Sequence, residues 1–473
     1  MGFDYGPLEA RYDAIVIRAG MAGLAAAIRL AMFDVKVMVL EKHYMPGGLN
    51  SYYHRAKRPF DVGLHAMTNY APRGAKRMPL TKLLRQLRIP HAKLQLAEQV
   101  RSEVRFPGVT LPFTNDFEVL RTAIAEAFPA EADAFDGLVE AIKAFDNLSL
   151  DREQLPARPV LAQHLGNPLL IDMLLCPLMY YGSAVEDDME FGQFVTMFKS
   201  IFLEGFARPE GGVRTLTDLL KARLKEVGGE LRFKRGVRRI LSKDGKVFGV
   251  ELENGDQVIE APVVISTAGH HETVALCEAL PEPDAEANPV GQLTFMESIH
   301  CLDCEPKELG LDQTIVFFND SERFHYKVPE DYADLRSGVV CMPNNYQHEQ
   351  PLAEGLVRIT SIANFDRWAA LEKPEPYAEV KERWRAAQAE TVAKLLGEFR
   401  ERVVYHDTFT PTTIRHFTGH DNGAVYGAPV KLTDGLTGLD GLFLAGTDQG
   451  FLGIVGAMLS GISIANARVL QAR

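Results

Sequence analysis

Residues 12–42, YDAIVIRAGMAGLAAAIRLAMFDVKVMVLEK, constrain the fold more than any other stretch of the chain. Ala14 to Ile17 is a short apolar run of the kind that forms a buried parallel strand. A glycine turn follows at Gly20 and Gly23, then an alanine-rich helix to about Ala31, then a second apolar strand, Val35 to Leu40, ending at Glu41. This is the strand–turn–helix–strand unit that holds a dinucleotide. Gly20 lets the backbone approach a pyrophosphate where any Cβ would collide, and Gly23 lets the helix sit close to the strand. The free N–H groups and positive dipole end of the helix favour phosphate. Glu41 lies 21 residues after Gly20, where a carboxylate accepts from ribose hydroxyls and repels a 2′-phosphate. A bare glycine pattern also fits a crossover that binds nothing; both strands, the helix and the acid at the right distance favour the ligand.

Residue 18 should be the first glycine of the pattern and is Arg. A side chain is poorly tolerated there, because a non-glycine residue forced to positive φ costs roughly 1 kcal/mol or more. The guanidinium can pair with phosphate or block the cofactor. The expectation is weaker dinucleotide affinity with an unchanged fold.

The chain has 473 residues, 46% of them hydrophobic, enough for a large core and two interleaved domains. A net charge of −12 argues against a nucleic-acid partner. Met1 to Arg11 carries Asp4 and Glu9 and does not read as a signal peptide, and no stretch of about 18 uncharged apolar residues suggests a spanning helix. Cys176, Cys277, Cys301, Cys304 and Cys341 fit a reducing cytoplasm. The lone Cys301/Cys304 C-x-x-C reads as ordinary thiols rather than zinc or a redox disulfide, and no metal is expected.

Beyond Glu41, Pro46-Gly47-Gly48 is a turn whose N–H groups can reach a second phosphate, and Phe60-Asp61-Val62-Gly63-Leu64-His65 a short strand and turn. A hairpin is expected over Val104–Phe113 and helical period over 116–149. Phe191, Phe194, Phe198, Phe202 and Phe206 form an aromatic stripe, either packed on the core, lining a hydrophobic tunnel, or dipping into a bilayer surface. Residues 209–269 return to an α/β pattern with strands at 230–233, 237–242, 247–252 and 264–269 and turns at Asp244-Gly245 and Asn254-Gly255. Strands near 291–302, 314–318, 338–342 and 356–362 precede a long helix near 375–400. In the tail, a strand over Leu442–Ala445 and a turn at Gly446-Thr447-Asp448 lead into a helix from Gly453 to about Arg468, whose start would set positive charge beside a ring that gains negative charge on reduction.

Through these motifs the chain resembles the phytoene desaturase, carotenoid isomerase and retinol saturase group of FAD-dependent oxidoreductases. The fingerprint ending at Glu41, Pro46-Gly47-Gly48-Leu49, Phe60-to-His65 and the tail GLFLAGTDQGFLGIVGAMLSG carry the resemblance, which covers nearly the whole chain. It implies an α/β fold: a Rossmann-like, glutathione-reductase-like FAD-binding domain in three pieces (1–115, 206–270 and 421–473) interleaved with an α+β substrate domain (116–205 and 271–420). It implies FAD, with Gly20, Ala22 and Gly23 along the pyrophosphate, Glu41 by the adenosine ribose, Gly48 and Leu49 by the phosphates and ribityl chain, and Lys42 also among the cofactor-binding residues. The Val237 backbone would meet the adenine edge, Thr447 or Asp448 the ribityl chain or phosphate, and Ile454 and Val455 the ring.

The implied substrate is a lipophilic isoprenoid polyene, whose site needs apolar and aromatic walls rather than a catalytic triad. Desaturation, saturation and isomerisation share this scaffold, with hydride exchange at flavin N5 as the hard step. His65 is the first candidate for moving the accompanying proton, against a purely structural, hydrogen-bonded role. His270, His271 and Glu210 are weaker candidates. The rival readings are a flavin-depleted lipid-binding relic, caused by Arg18, and an amine oxidase on the same fold. The expected location is cytoplasmic, with peripheral contact with a membrane surface left open.

Overall fold

The computed structural model describes residues 6–146, 153–253, 255, 257–371 and 374–472. Residues 1–5, residues 147–149 of the expected helical segment and Asn254 of the expected turn lie outside the described residues. Five strands form a wholly parallel sheet in the order Leu442–Leu444, Val264–Ser266, Ala14–Ile17, Val37–Leu40 and Glu230–Arg232. Four widely separated segments of sequence therefore build one layer. Its central strands are buried on both faces, which is why they read as unbroken apolar runs.

Alternation along Ala14–Ile17 divides the two faces. Ala14 and Val16 pack towards the helix Met21–Ala31, whereas Ile15 and Ile17 pack on the three-stranded antiparallel sheet Val237–Lys243, Lys246–Leu252 and Val258–Glu260. Every residue of Met21–Ala31 except Arg29 is buried. Two glycines permit this. A Cβ at Gly23 would overlap the Arg18 carbonyl oxygen, and a Cβ at Gly461, in the helix Gly453–Ile464, would overlap the Ala22 carbonyl oxygen. The C-terminal helix thus crosses the first one at backbone contact.

A seven-stranded mixed sheet forms the second body, in the order Val403–Phe409, Thr294–Leu302, Gly355–Ala363, Ser337–Cys341, Ile315–Asn319, Ser102–Phe106 and Val109–Phe113. The hairpin at 102–113, assigned above to the first nucleotide-binding piece, belongs here: Ser102–Phe106 runs parallel to Ile315–Asn319. Strand Val403–Phe409 was not anticipated; only its Thr408 is buried, so it offers no clear apolar pattern. The helical stretch from 116 breaks into Phe117–Ala127 and Ala132–Ala144, because Pro129 cannot continue the first helix.

The aromatic stripe is core. Phe194, Phe198, Phe202 and Phe206 are at most 1% exposed; Phe194 packs between Phe191 and Phe198, the other three pack on Phe113, Phe117, Phe135 and Phe317, and none of them lines the main cleft. Among the described residues one helix, Gly453–Leu470, is long and apolar enough to cross a membrane, contrary to the sequence expectation, but half of it is buried against the first helix and the core around it.

Candidate functional site

A cleft runs from the carboxyl ends of the parallel strands to the face of the mixed sheet and encloses about 1770 Å³ of empty space, part of it open to solvent. At the parallel-sheet end lie Gly20, Ala22, Glu41, Gly48 and Leu49; at the C-terminal helix lie Thr447 and Ile454. Both helices that open on the cleft, Met21–Ala31 and Gly453–Ile464, lack a side-chain cap. Their first-turn N–H groups are therefore left for a ligand or water. A Cβ at Gly20 would meet nothing within 4 Å, so the space above this turn is open. Gly47 and Gly48 take positive φ beside it, and the Gly47 N–H donates to the Ala19 carbonyl at 2.8 Å. Two helix N-termini and an open glycine turn make a suitable cradle for a dinucleotide.

Glu41 is buried, with its carboxylate accepting from the Ala19 N–H at 2.7 Å and the His43 N–H at 2.8 Å. Burial pushes its pKa up, partly offset by those N–H groups. Each oxygen keeps a lone pair for a further donor. Arg18 takes φ 74°, the left-handed conformation expected of the missing glycine. Its side chain lines the cleft without filling it: Nη1 donates to the Ala268 carbonyl at 2.9 Å and Nη2 to the Gly419 carbonyl at 3.2 Å.

Five of the expected cofactor residues stand off the cleft wall. Gly23 is a packing glycine under the turn. Lys42 points away and pairs with Glu253 at 2.8 Å. Val237 is part of the small sheet, paired with Leu252, its side chain in the core between the sheets. Val455 packs into the helical core. Asp448 is 3% exposed and already engaged: it accepts from the His270 N–H at 2.7 Å and the Ala428 N–H at 2.9 Å and faces the Lys431 ammonium at 3.7 Å. It fastens the 428–431 segment to the chain end rather than offering oxygens to the cleft. The weaker candidates are also elsewhere. His270 Nδ1 meets the Asn288 amide at 2.7 Å, and Glu210 pairs with His348 at 3.0 Å.

His65 lies at the junction of the cradle and the mixed sheet, on the cleft wall with Glu297 and Thr360. Its Nε2 is 3.2 Å from Glu297 Oε2 and 3.3 Å from Thr360 Oγ1. Arg358 donates from Nε to Glu297 Oε1 at 2.6 Å and from its terminal nitrogens to the carbonyls of Asp61, Val62 and Leu64. Arg208 pairs with the Asp61 carboxylate and also donates to the Leu64 and His65 carbonyls. Two carboxylates and two guanidiniums thus balance around one imidazole and lock the turn that carries it. Burial drives the His65 pKa below its ordinary value, against the pull of Glu297. Burial opposes the charge on Glu297 too, but Arg358 and His65 win and hold it below the usual carboxylate range. The Cys341 thiol, near the His65 carbonyl, is pushed up to about 12 by burial.

Past His65 the walls turn apolar and aromatic, with Tyr180, Tyr181, Phe295, Val339, Tyr426 and Leu452. Tyr180 is tied to Ser337 at 2.8 Å, and the Tyr426 hydroxyl donates to the Tyr180 carbonyl. Sequence reasoning missed Arg208, Glu297, Arg358 and these aromatics. The available signal was a single charged residue in a strand otherwise free of Asp, Glu, Lys and Arg, Glu297 in TFMESIHCL and Arg358 in GLVRITSIA. Buried charges in that setting require partners.

The pattern of the flavin containing amine oxidoreductases matches residues 21–468. This chain belongs to that family. It is a flavin-dependent oxidoreductase, and the open turn between two uncapped helix starts suits that cofactor. It is 26% identical to prolycopene isomerase 2, chloroplastic, of an Oncidium hybrid cultivar, over 98% of this chain and 85% of the relative. It is 24% identical to all-trans-retinol 13,14-reductase of Danio rerio, over 95% of this chain and 85% of the relative. Its fold matches the crystal structure of an oxidoreductase from Methanosarcina mazei with a TM-score of 0.68 at 17% identity, covering 96% of this chain and 99% of the other.

Proposed function

We propose that the flavin is FAD and that the protein uses it to desaturate, saturate or isomerise C–C bonds of an isoprenoid polyene. The observation that carries this reading is the inner half of the cleft. Its walls are aromatic and aliphatic, and the polar groups at its neck, His65, Glu297 and Thr360, are already bonded to one another. The Glu297 charge is matched by Arg358, so little negative potential remains to attract an ammonium substrate, which counts against amine oxidation. A polyene needs no polar recognition and gains from apolar walls, at roughly 25 cal/mol per Å² removed from water. The similarity to a prolycopene isomerase and a retinol reductase supports the same substrate class.

Gly20, Ala22, Glu41, Gly48, Leu49, Thr447 and Ile454 would hold the FAD. When bound, it supplies a two-electron hydride acceptor or donor. The protein orients the chain between Tyr181, Phe295 and Leu452, keeps water from the bonds being changed, and offers His65 for the proton. Peripheral docking on a membrane, the source of such a lipid, belongs to this proposal as well.

The test is anaerobic mixing of oxidised and, separately, reduced protein with a panel of carotenoid, retinoid and diamine compounds. A change in the polyene spectrum coupled to flavin reduction, to reoxidation, or to isomerisation without net redox change supports the proposal. Flavin reduction by the diamine alone refutes it.

A further inference from the structure

Nε2 of His65 has two neighbours, and the hydrogen bonds between them fix what each can do. The Thr360 hydroxyl donates its one proton to Glu297 Oε2 at 3.1 Å, so towards His65 its oxygen can only accept. Glu297 is ionised against Arg358 and can only accept as well. Two acceptors on one ring nitrogen require that nitrogen to carry the proton. We infer that Glu297 and Thr360 hold His65 in the Nε2–H tautomer, leaving Nδ1 as the free acceptor of a ring that borders the cleft, and that Nδ1 exchanges one proton with the bound substrate.

Glu297 is the positioning residue in this arrangement, and Arg358 fixes Glu297 from the opposite side. The groups around the ring are Glu297, Thr360, Arg358, Arg208 and Asp61; the Tyr346 hydroxyl donates to the His65 carbonyl at 3.0 Å and the Cys341 thiol at 3.8 Å. Among the described residues Nδ1 has no protein partner, and the ring borders the cleft. Burial keeps the ring neutral when the site is at rest. When Nδ1 takes a proton, an N–H bond forms and a C–H bond of the substrate breaks, its electron pair staying on the conjugated chain. The imidazolium that results stands against the Glu297 carboxylate. Return of the proton reverses each change. The inference rests on the reading of the cleft as a polyene site, but its geometry does not depend on which polyene enters.

The experiment is nitrogen-15 NMR of histidine-labelled, flavin-loaded protein without substrate, with His65→Asn assigning the resonances. The expected spectrum has Nε2 protonated and Nδ1 bare at neutral pH. A proton on Nδ1 overturns the inference, whatever the substrate is. Glu297→Gln keeps the shape and removes the charge; it should populate the Nδ1–H form and lower polyene turnover about tenfold or more, with an altered pH profile. An unchanged tautomer in that variant overturns the positioning role. Should that variant fail to fold, Thr360→Val gives the fallback: Glu297 still accepts from Nε2, so the Nε2–H form should persist, and a proton on Nδ1 in this variant overturns the inference. An intact tautomer without conversion of any polyene would strike the substrate reading alone.

Discussion

Arg18 offers the sharpest quantitative test of how this turn is built. Its backbone sits at φ 74°, where a non-glycine residue costs about 1–2 kcal/mol. Its guanidinium donates to the Ala268 carbonyl at 2.9 Å in partly buried surroundings and to the Gly419 carbonyl at 3.2 Å near solvent. Hydrogen bonds from a charged donor contribute about 1.5–3 kcal/mol when shielded and less when wet. Arg18→Ala keeps the strain and loses both bonds, a destabilisation of about 2–4 kcal/mol. Arg18→Gly loses the same bonds but relieves the strain, recovering about 1 kcal/mol after the extra freedom of glycine in the unfolded chain. The expected stability order is therefore Arg, then Gly, then Ala, measured as urea midpoints of the apoproteins at unchanged slope. FAD titration adds a second axis. The Gly variant, though less stable, should bind the cofactor more tightly, because Arg18 borders the cleft. An alanine variant as stable as the glycine one would refute the strain argument, and equal FAD affinities would refute the effect on binding.

Gly20→Ala and Gly23→Ala should separate binding from packing. The first meets open space and should fold within about 0.5 kcal/mol of the parent while losing flavin; the second collides with the Arg18 carbonyl and should destabilise by about 1–3 kcal/mol, read by thermal melting with and without FAD. Phe198→Ala removes a fully buried ring of the stripe and should cost about 3–5 kcal/mol in urea unfolding without altering which polyenes are converted; a changed product profile would return the stripe to the cavity wall. His300 is wholly buried, with burial and then Arg385 lowering its pKa to about 3. A histidine whose folded pKa is depressed stabilises the protein above the unfolded value of 6.5, and that stability is lost as pH falls towards 3, at up to about 1.4 kcal/mol per pH unit. His300→Gln should flatten this part of the stability–pH curve, and an identical slope would show that another group titrates.

Local periodicity carried much of the architecture. Four of the five strands of the parallel layer, and the helix beneath them, are legible because strands buried on both faces must be apolar throughout and because the fingerprint fixes their spacing. Glu230–Arg232, the fifth, is legible only from its place in the α/β pattern, since its middle residue alone is buried. The first mixed-sheet hairpin was visible, but its sheet was not, since pairing of Ser102–Phe106 with Ile315–Asn319 is a long-range choice that short-range pattern does not encode. At the site Gly20, Gly48 and Glu41 were readable because a short strand–turn–helix–strand unit and the turn that follows it fix their spacing, and all three line the cleft. Asp448 misled because a carboxylate at a turn near the expected ring is equally suited to capping two N–H groups and pairing with Lys431, as it does. The network behind His65 was hidden because Asp61, Arg208, Glu297 and Arg358 come from four distant segments and become one charge-balanced unit only after folding.

A structure of the protein with FAD added tests the central claim most directly. The diphosphate should rest on the Gly20 turn and the isoalloxazine beside Gly453 and Ile454, one face towards His65 and the aromatic chamber beyond it. An FAD bound elsewhere, or a ring lying among charged side chains with the Tyr181–Phe295 chamber out of its reach, would contradict the account.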